Sequence, residues 1–124
     1  MRRFLSTSTT RRAMKIVPVP VREDNYAYLL IDEATKKAAA IDPYDVSKVS
    51  AAAEAHGVSL VSLITTHHHF DHSGGNSAFV EKYKGVPVYG GSDQVPALTE
   101  LVKDKDEFTV GDNIHVKCVQ SFMY

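Results

Sequence analysis

Apolar positions along the chain fall in short runs broken by polar or turn-forming residues, and the period of each run predicts its element. Residues 15–20 (KIVPVP) are apolar, but two prolines confine them to an edge strand or its entry. Tyr26 to Ile31 reads as a strand, the polar stretch 32–37 as a turn, and Ala38 to Ile41 as the returning strand of a hairpin. Asp42-Pro43 breaks the pattern. Asp45 is a suitable N-cap for a helix from Val46 to His56, in which Val46, Val49 and Ala53 share a face. Gly57 stands where a helix stop is expected. Val58 to Ile64 is rich in β-branched residues and leucine, as a buried strand is. Residues 65–76 form a polar loop, and Ser77 to Lys84 a short helix ending at Gly85. Val86 to Tyr89 reads as a strand stopped by Gly90-Gly91. Phe108 to Val110 and Ile114 to Val119 flank Gly111-Asp112-Asn113, a turn-type tripeptide, and form a second hairpin. From Tyr26 onward the order is β-β-α-β-α-β-β-β, which predicts a layered α/β sheet protein.

At 124 residues the chain is at most one ordinary domain, and its 44% hydrophobic and 23% charged content is that of a globular protein. No apolar run reaches the length of a membrane span, and the lone Cys118 excludes an internal disulfide framework and a CxxC zinc ribbon. A net charge of −1 gives no overall basic field to draw the protein to nucleic acid, and no membrane partner is expected. The charge is unevenly spread. Residues 1–22 carry all five arginines and Lys15 but no acid, and Ser6 to Thr10 are all hydroxylated. That composition belongs to organellar transit peptides; a basic N-terminus carrying no address is the plainer alternative. Residues 1–13 are therefore set apart from the fold, with a mitochondrial matrix location expected, or a cytoplasmic one if translation starts at Met14.

The most informative stretch is Thr65 to His72. Four of the six histidines and one aspartate fall within six positions, at the end of a buried strand. In extended backbone alternate side chains share a side, so His67 and His69 can converge; a turn at Phe70 can then bring Asp71 and His72 to a neighbouring point. Imidazole and carboxylate suit zinc, iron or manganese. The glycines of Ser73-Gly74-Gly75-Asn76 let backbone pass close to such a site and begin a helix.

The sequence from Thr66 to Asn76 resembles the signature of the metallo-β-lactamase superfamily. Together with Asp24-Asn25-Tyr26-Ala27-Tyr28-Leu29, Ile41-Asp42-Pro43 and Val88-Tyr89-Gly90-Gly91, it resembles the hydroxyacylglutathione hydrolase (glyoxalase II) family over residues 14–119. The resemblance implies the N-terminal half of an αββα sandwich, an α+β fold with a binuclear metal site. In that site His67 and His69 hold the first ion and Asp71 and His72 the second, zinc being expected and iron or manganese alternatives. His68 is then a non-ligand that packs the loop or supplies an outer hydrogen bond. The implied reaction is hydrolysis of the thioester S-D-lactoylglutathione to glutathione and D-lactate, in methylglyoxal detoxification. No protein nucleophile is needed, so Cys118 is expected to be a buried structural residue on an apolar strand.

After Val119 the resemblance stops. Residues 120–124 diverge where the family places a further metal histidine, and later a bridging aspartate, a last histidine and a helical region holding glutathione. The pattern is that of a splice variant, a frameshifted gene model or a fragment. His56 and His115 are expected to be ordinary surface histidines and poor substitutes for those ligands. The chain alone is expected to be inactive, to bind metal weakly, and to leave one apolar sheet face and open edges uncovered. Two other readings stand beside this one. The first is another hydrolase of the superfamily or a persulfide dioxygenase-like protein using one iron, against which the triple histidine and Asp24-Asn25-Tyr26 argue. The second is a non-enzymatic truncated isoform.

Overall fold

The computed structural model describes residues 14–21, 25–66 and 74–119. Its strands are β1 (Met14–Pro20), β2 (Tyr26–Asp32), β3 (Lys37–Ile41), β4 (Ser59–Thr65), β5 (Val88–Gly90), β6 (Glu100–Leu101), β7 (Glu107–Val110) and β8 (Ile114–Lys117); the helices are α1 (Val46–Ala55) and α2 (Asn76–Lys82). The first six strands form one sheet in the order β1-β2-β3-β4-β5-β6, and β7-β8 form a separate ribbon. Pairing is antiparallel through β1-β2-β3 and parallel from β3 to β6. The mixed α+β architecture is the expected one.

Each element forms for a local reason. The two prolines of KIVPVP sit in β1, which pairs only with β2 and so can spare their missing donors. The Asp45 side chain accepts a hydrogen bond from the Lys48 N–H at 3.2 Å and caps α1. Gly57, with φ of +65°, ends it one residue beyond the His56 cap. On the helix-covered face, Ala27, Leu29, Ile31, Ala38, Ala40, Leu60 and Leu63 pack against Val49 and Ala53 of α1 and Phe79 of α2. Strand β3 carries three buried alanines in a row, and their small side chains let layers approach from both faces: Ala38 and Ala40 meet the helices, and Ala39 lies under the ribbon.

Several boundaries and one element differ from expectation. Helix α1 ends at Ala55, with His56 as its cap, and α2 runs from Asn76 to Lys82 instead of from Ser77 to Lys84. Val86 and Pro87 precede β5, which instead takes in Gly90. Strand β6 had no sequence signal; two exposed residues, Glu100 and Leu101, pair with β5 only because the loop from Gly91 returns to the sheet edge. The uncovered sheet face is corrected in part. The β7-β8 ribbon lies on it, with Val110 and Ile114 buried against Leu30 and Ala39. Away from the ribbon Ile16, Tyr26 and Tyr28 are exposed, as anticipated for that face. Cys118 follows the end of β8 and is half-buried, so it is not a buried strand residue. Among the described residues no helix is long and apolar enough to cross a membrane.

Candidate metal centre

The four proposed ligands, His67, His69, Asp71 and His72, lie outside the described residues, as do His68 and Asp24. The structure does describe the frame on both sides of the motif. That frame lies at the C-terminal edge of the parallel strands, where open α/β sheets hold their ligands.

Upstream, Asp42 carries the frame. Its backbone N–H donates to the Ile64 carbonyl at 3.0 Å. Its carboxylate accepts from the Thr66 N–H at 2.8 Å and from the Thr66 hydroxyl. The side chain is buried, and the residue has φ of +52°, a left-handed conformation costly for a non-glycine residue before proline. Aspartate tolerates that conformation better than most residues, and the hydrogen bonds offset its strain. The chain is thus fixed at the residue from which the histidine stretch departs.

Downstream, the turn at Gly74-Gly75 presses on the same loop. A side chain at Gly75 would overlap the Pro43 and Tyr44 carbonyls, so only glycine allows this approach. Asn76 is fully buried; its amide donates to the Thr65 hydroxyl at 2.9 Å and to the Pro96 carbonyl at 3.0 Å. The Asn76 Oδ1 is buried without a hydrogen-bond partner among the described residues. Both ends of the 67–73 stretch are therefore tied to residues 42–44 or to β4, and the second also to the loop after β5.

A cavity of about 710 Å³ opens beside this frame, between the ends of β4 and β5 and the ribbon. Ile64, Thr65, Thr66 and Gly90 form one wall, Phe108, Val116 and Cys118 the other. The Tyr89 ring stacks on Phe108 with centroids 3.8 Å apart and planes within 5°. Burial, and then the charge of Glu100, push the Tyr89 hydroxyl above its usual pKa. Burial, and then the Asp106 carboxylate, do the same to the Cys118 thiol, so its thiolate is scarce at neutral pH. That agrees with assigning Cys118 no catalytic part. His115 is exposed on β8 and His56 caps α1, and neither lines the cavity.

Residues 22–119 match the family model described as the metallo-beta-lactamase superfamily. The chain belongs to that superfamily. Its members bind metal ions, so the superfamily assignment and the donor chemistry of the motif agree. The chain is 46% identical over 104 residues to the cytoplasmic hydroxyacylglutathione hydrolase of Arabidopsis thaliana, covering 83% of this chain and 40% of that relative. It therefore spans less than half the length of the curated relative. Among solved structures it is similar to a metallo-beta-lactamase from Staphylococcus aureus, with a TM-score of 0.70 and 25% identity over 87% of this chain and 34% of that one. It is also similar to ETHE1 from Myxococcus xanthus, with a TM-score of 0.66 and 27% identity over 79% of this chain and 44% of that one. The BLEG-1 B3 metallo-beta-lactamase, at 21% identity and a TM-score of 0.63 over 78% of this chain and 57% of that one, shares the fold.

Two residues of the frame carry more than sequence reasoning gave them. In the sequence Asp42 marks a break before Pro43 and part of a resemblance, although an acid before proline at a strand end is also a signal for a strained turn held by its own carboxylate. Asn76 was read as a loop residue, although a polar residue next to Gly-Gly at a helix start is well placed to brace it.

Proposed function

We propose that this chain carries the metal-binding motif of a hydrolase acting on glutathione thioesters, with S-D-lactoylglutathione as substrate and glutathione and D-lactate as products. The observation that carries this reading is the 46% identity over 104 residues to a hydroxyacylglutathione hydrolase. His67 and His69 hold one zinc ion, and Asp71 and His72 a second, iron or manganese being the alternatives. Three imidazoles and a carboxylate are donors that suit these ions. The frame fits the role as well, since Asp42 and Gly75 fix the chain at either end of the donors. Bound metal supplies Lewis acidity that polarises a thioester carbonyl and acidifies water. The chain's own residues act by position. Asp42 and Thr66 set where the donors begin, and Asn76 holds the far end.

The motif offers two ligands to each ion, one fewer than a catalytic zinc usually takes. Negligible hydrolysis of S-D-lactoylglutathione is therefore expected from the 124-residue chain with added zinc. Joined to the remaining portion of the A. thaliana relative, the same residues should turn the substrate over, and His69→Ala should abolish that turnover. An inactive fusion that still folds and loads zinc would overturn the substrate assignment. Residues 1–22 are proposed to direct the protein to mitochondria. Fused to a fluorescent protein they should give a mitochondrial signal that is lost when Arg2, Arg3, Arg11 and Arg12 become Glu; a diffuse signal from the unaltered segment would remove the proposal.

A further inference from the structure

The β7-β8 ribbon is held on the sheet in an uneven way. Two strands alone make a marginal sheet, so the ribbon depends on what it touches. Its underside gives only two fully buried apolar side chains, Val110 and Ile114; Phe108 and Val116 are half-buried. At its base, Phe108 stacks on Tyr89 of β5. At its tip a single side chain does the work of attachment. Asp32, at the end of β2 and with no exposed surface, accepts from the Asp112 N–H at 2.9 Å and the Asn113 N–H at 3.1 Å. The Asn113 side-chain amide donates to both its carboxylate oxygens, at 3.1 and 3.2 Å. The tip can come this close because residue 111 is glycine: its φ is +63°, and a side chain there would overlap the Asp32 carboxylate.

We propose that the ribbon is a strap, latched onto the sheet at its tip by the buried Asp32 carboxylate, and that releasing this latch opens the cavity beside the metal motif. A buried carboxylate is costly unless every lone pair is satisfied, so the latch holds only in the geometry that delivers all its donors together. Apolar contact, made by Val110 and Ile114 on Leu30 and Ala39 with half-buried side chains around them, is non-directional and does not by itself fix the position of the tip. The carboxylate fixes the tip, and the stack fixes the base. Phe108, Val116 and Cys118, which form the ribbon wall of the cavity, lie between or just beyond those two points. This assignment does not depend on which substrate the cavity meets.

The test uses the full chain and its one thiol, Cys118, as a native reporter of cavity opening. Asp32→Ala should raise the rate at which a small alkylating reagent labels Cys118 at least tenfold. It should also speed amide exchange across residues 107–117 while α1 and the β2-β3 pairing keep their protection. Asn113→Ala removes one donor and leaves the buried carboxylate in place, so it should give the same pattern at about threefold, and it decides the matter should Asp32→Ala fail to fold. Labelling of Asn113→Ala within experimental error of the unaltered chain would overturn the proposal. So would ribbon and sheet amides losing protection in step, which would mark the ribbon as part of one cooperative unit with no latch of its own.

Discussion

Asp32 and Asp42 are both buried acids, and each ties together segments distant in sequence. For Asp32 the electrostatics give a definite sign. Burial raises its pKa, but the Asn113 side chain and the Asp112 and Asn113 N–H groups outweigh it and hold the carboxyl below the usual 3.8. A depressed folded-state pKa contributes stability that is complete above the unfolded value, about 3.9, and is lost as pH falls through the folded one. Urea midpoints should therefore fall in acid more steeply for the unaltered chain than for Asp32→Asn, and the two acid limbs should converge once Asp32 is protonated in the folded state. Parallel limbs would show that Asp32 is not the titrating tie. Asp42 acts by geometry. Replacing it with Ala leaves the Thr66 N–H and hydroxyl without their acceptor and removes the compensation for a left-handed residue before proline. A loss of about 2–4 kcal/mol is expected, from two hydrogen bonds to a charged group. Calorimetry should show it, and zinc affinity should fall alongside, since the motif loses its upstream anchor.

Strands and helices were legible in the sequence wherever a pattern ran for several residues with a stop signal at its end. Helix α1 shows this with Asp45, the Val49/Ala53 face and Gly57. The hairpin of β7 and β8 shows it through its Gly-Asp-Asn turn. Strand β6 could not be read, because two exposed residues carry no period and owe their pairing to the sheet edge beside them. The phase of β4 was equally hidden. Its pairing with β3 shifts register between Ala38 and Ala39, so Leu60 and Leu63 face the helices while Val61 and Ile64 face the ribbon. A strict alternation would have put Leu60 and Ile64 on one side. That shift places Thr65 against Asn76 of α2. The short helix α2 has no side-chain cap, and its start depends on Gly75 lying against Pro43 and Tyr44. Gly75→Ala should force these backbones apart and cost about 1–3 kcal/mol, as overpacking does. Chemical denaturation with far-UV detection checks this; an unchanged midpoint would mean that the 42–44 loop yields freely.

At the scale of the molecule, one sheet face is closed by helices and the other only in part by the ribbon, leaving Ile16, Tyr26 and Tyr28 in water. Such a face favours self-association. Sedimentation of the 124-residue chain at rising concentration should show a monomer giving way to larger species, and Ile16→Lys with Tyr28→Lys should suppress them. Retention of the larger species in the double variant would place the contact elsewhere.

The sequence by itself determined most element types, the α+β class and the superfamily, because these depend on residue type and short-range spacing. The tertiary structure decided which distant residues hold the motif and the ribbon in place. Asp42 meets Thr66 and Asp32 meets residues 112 and 113 only after sheet order and register are fixed. Those contacts span 24 and 80 or more residues, and no local period encodes them. A buried carboxylate finds its donors through the packing of layers, and that packing is set by the summed fit of many small side chains, such as the three alanines of β3.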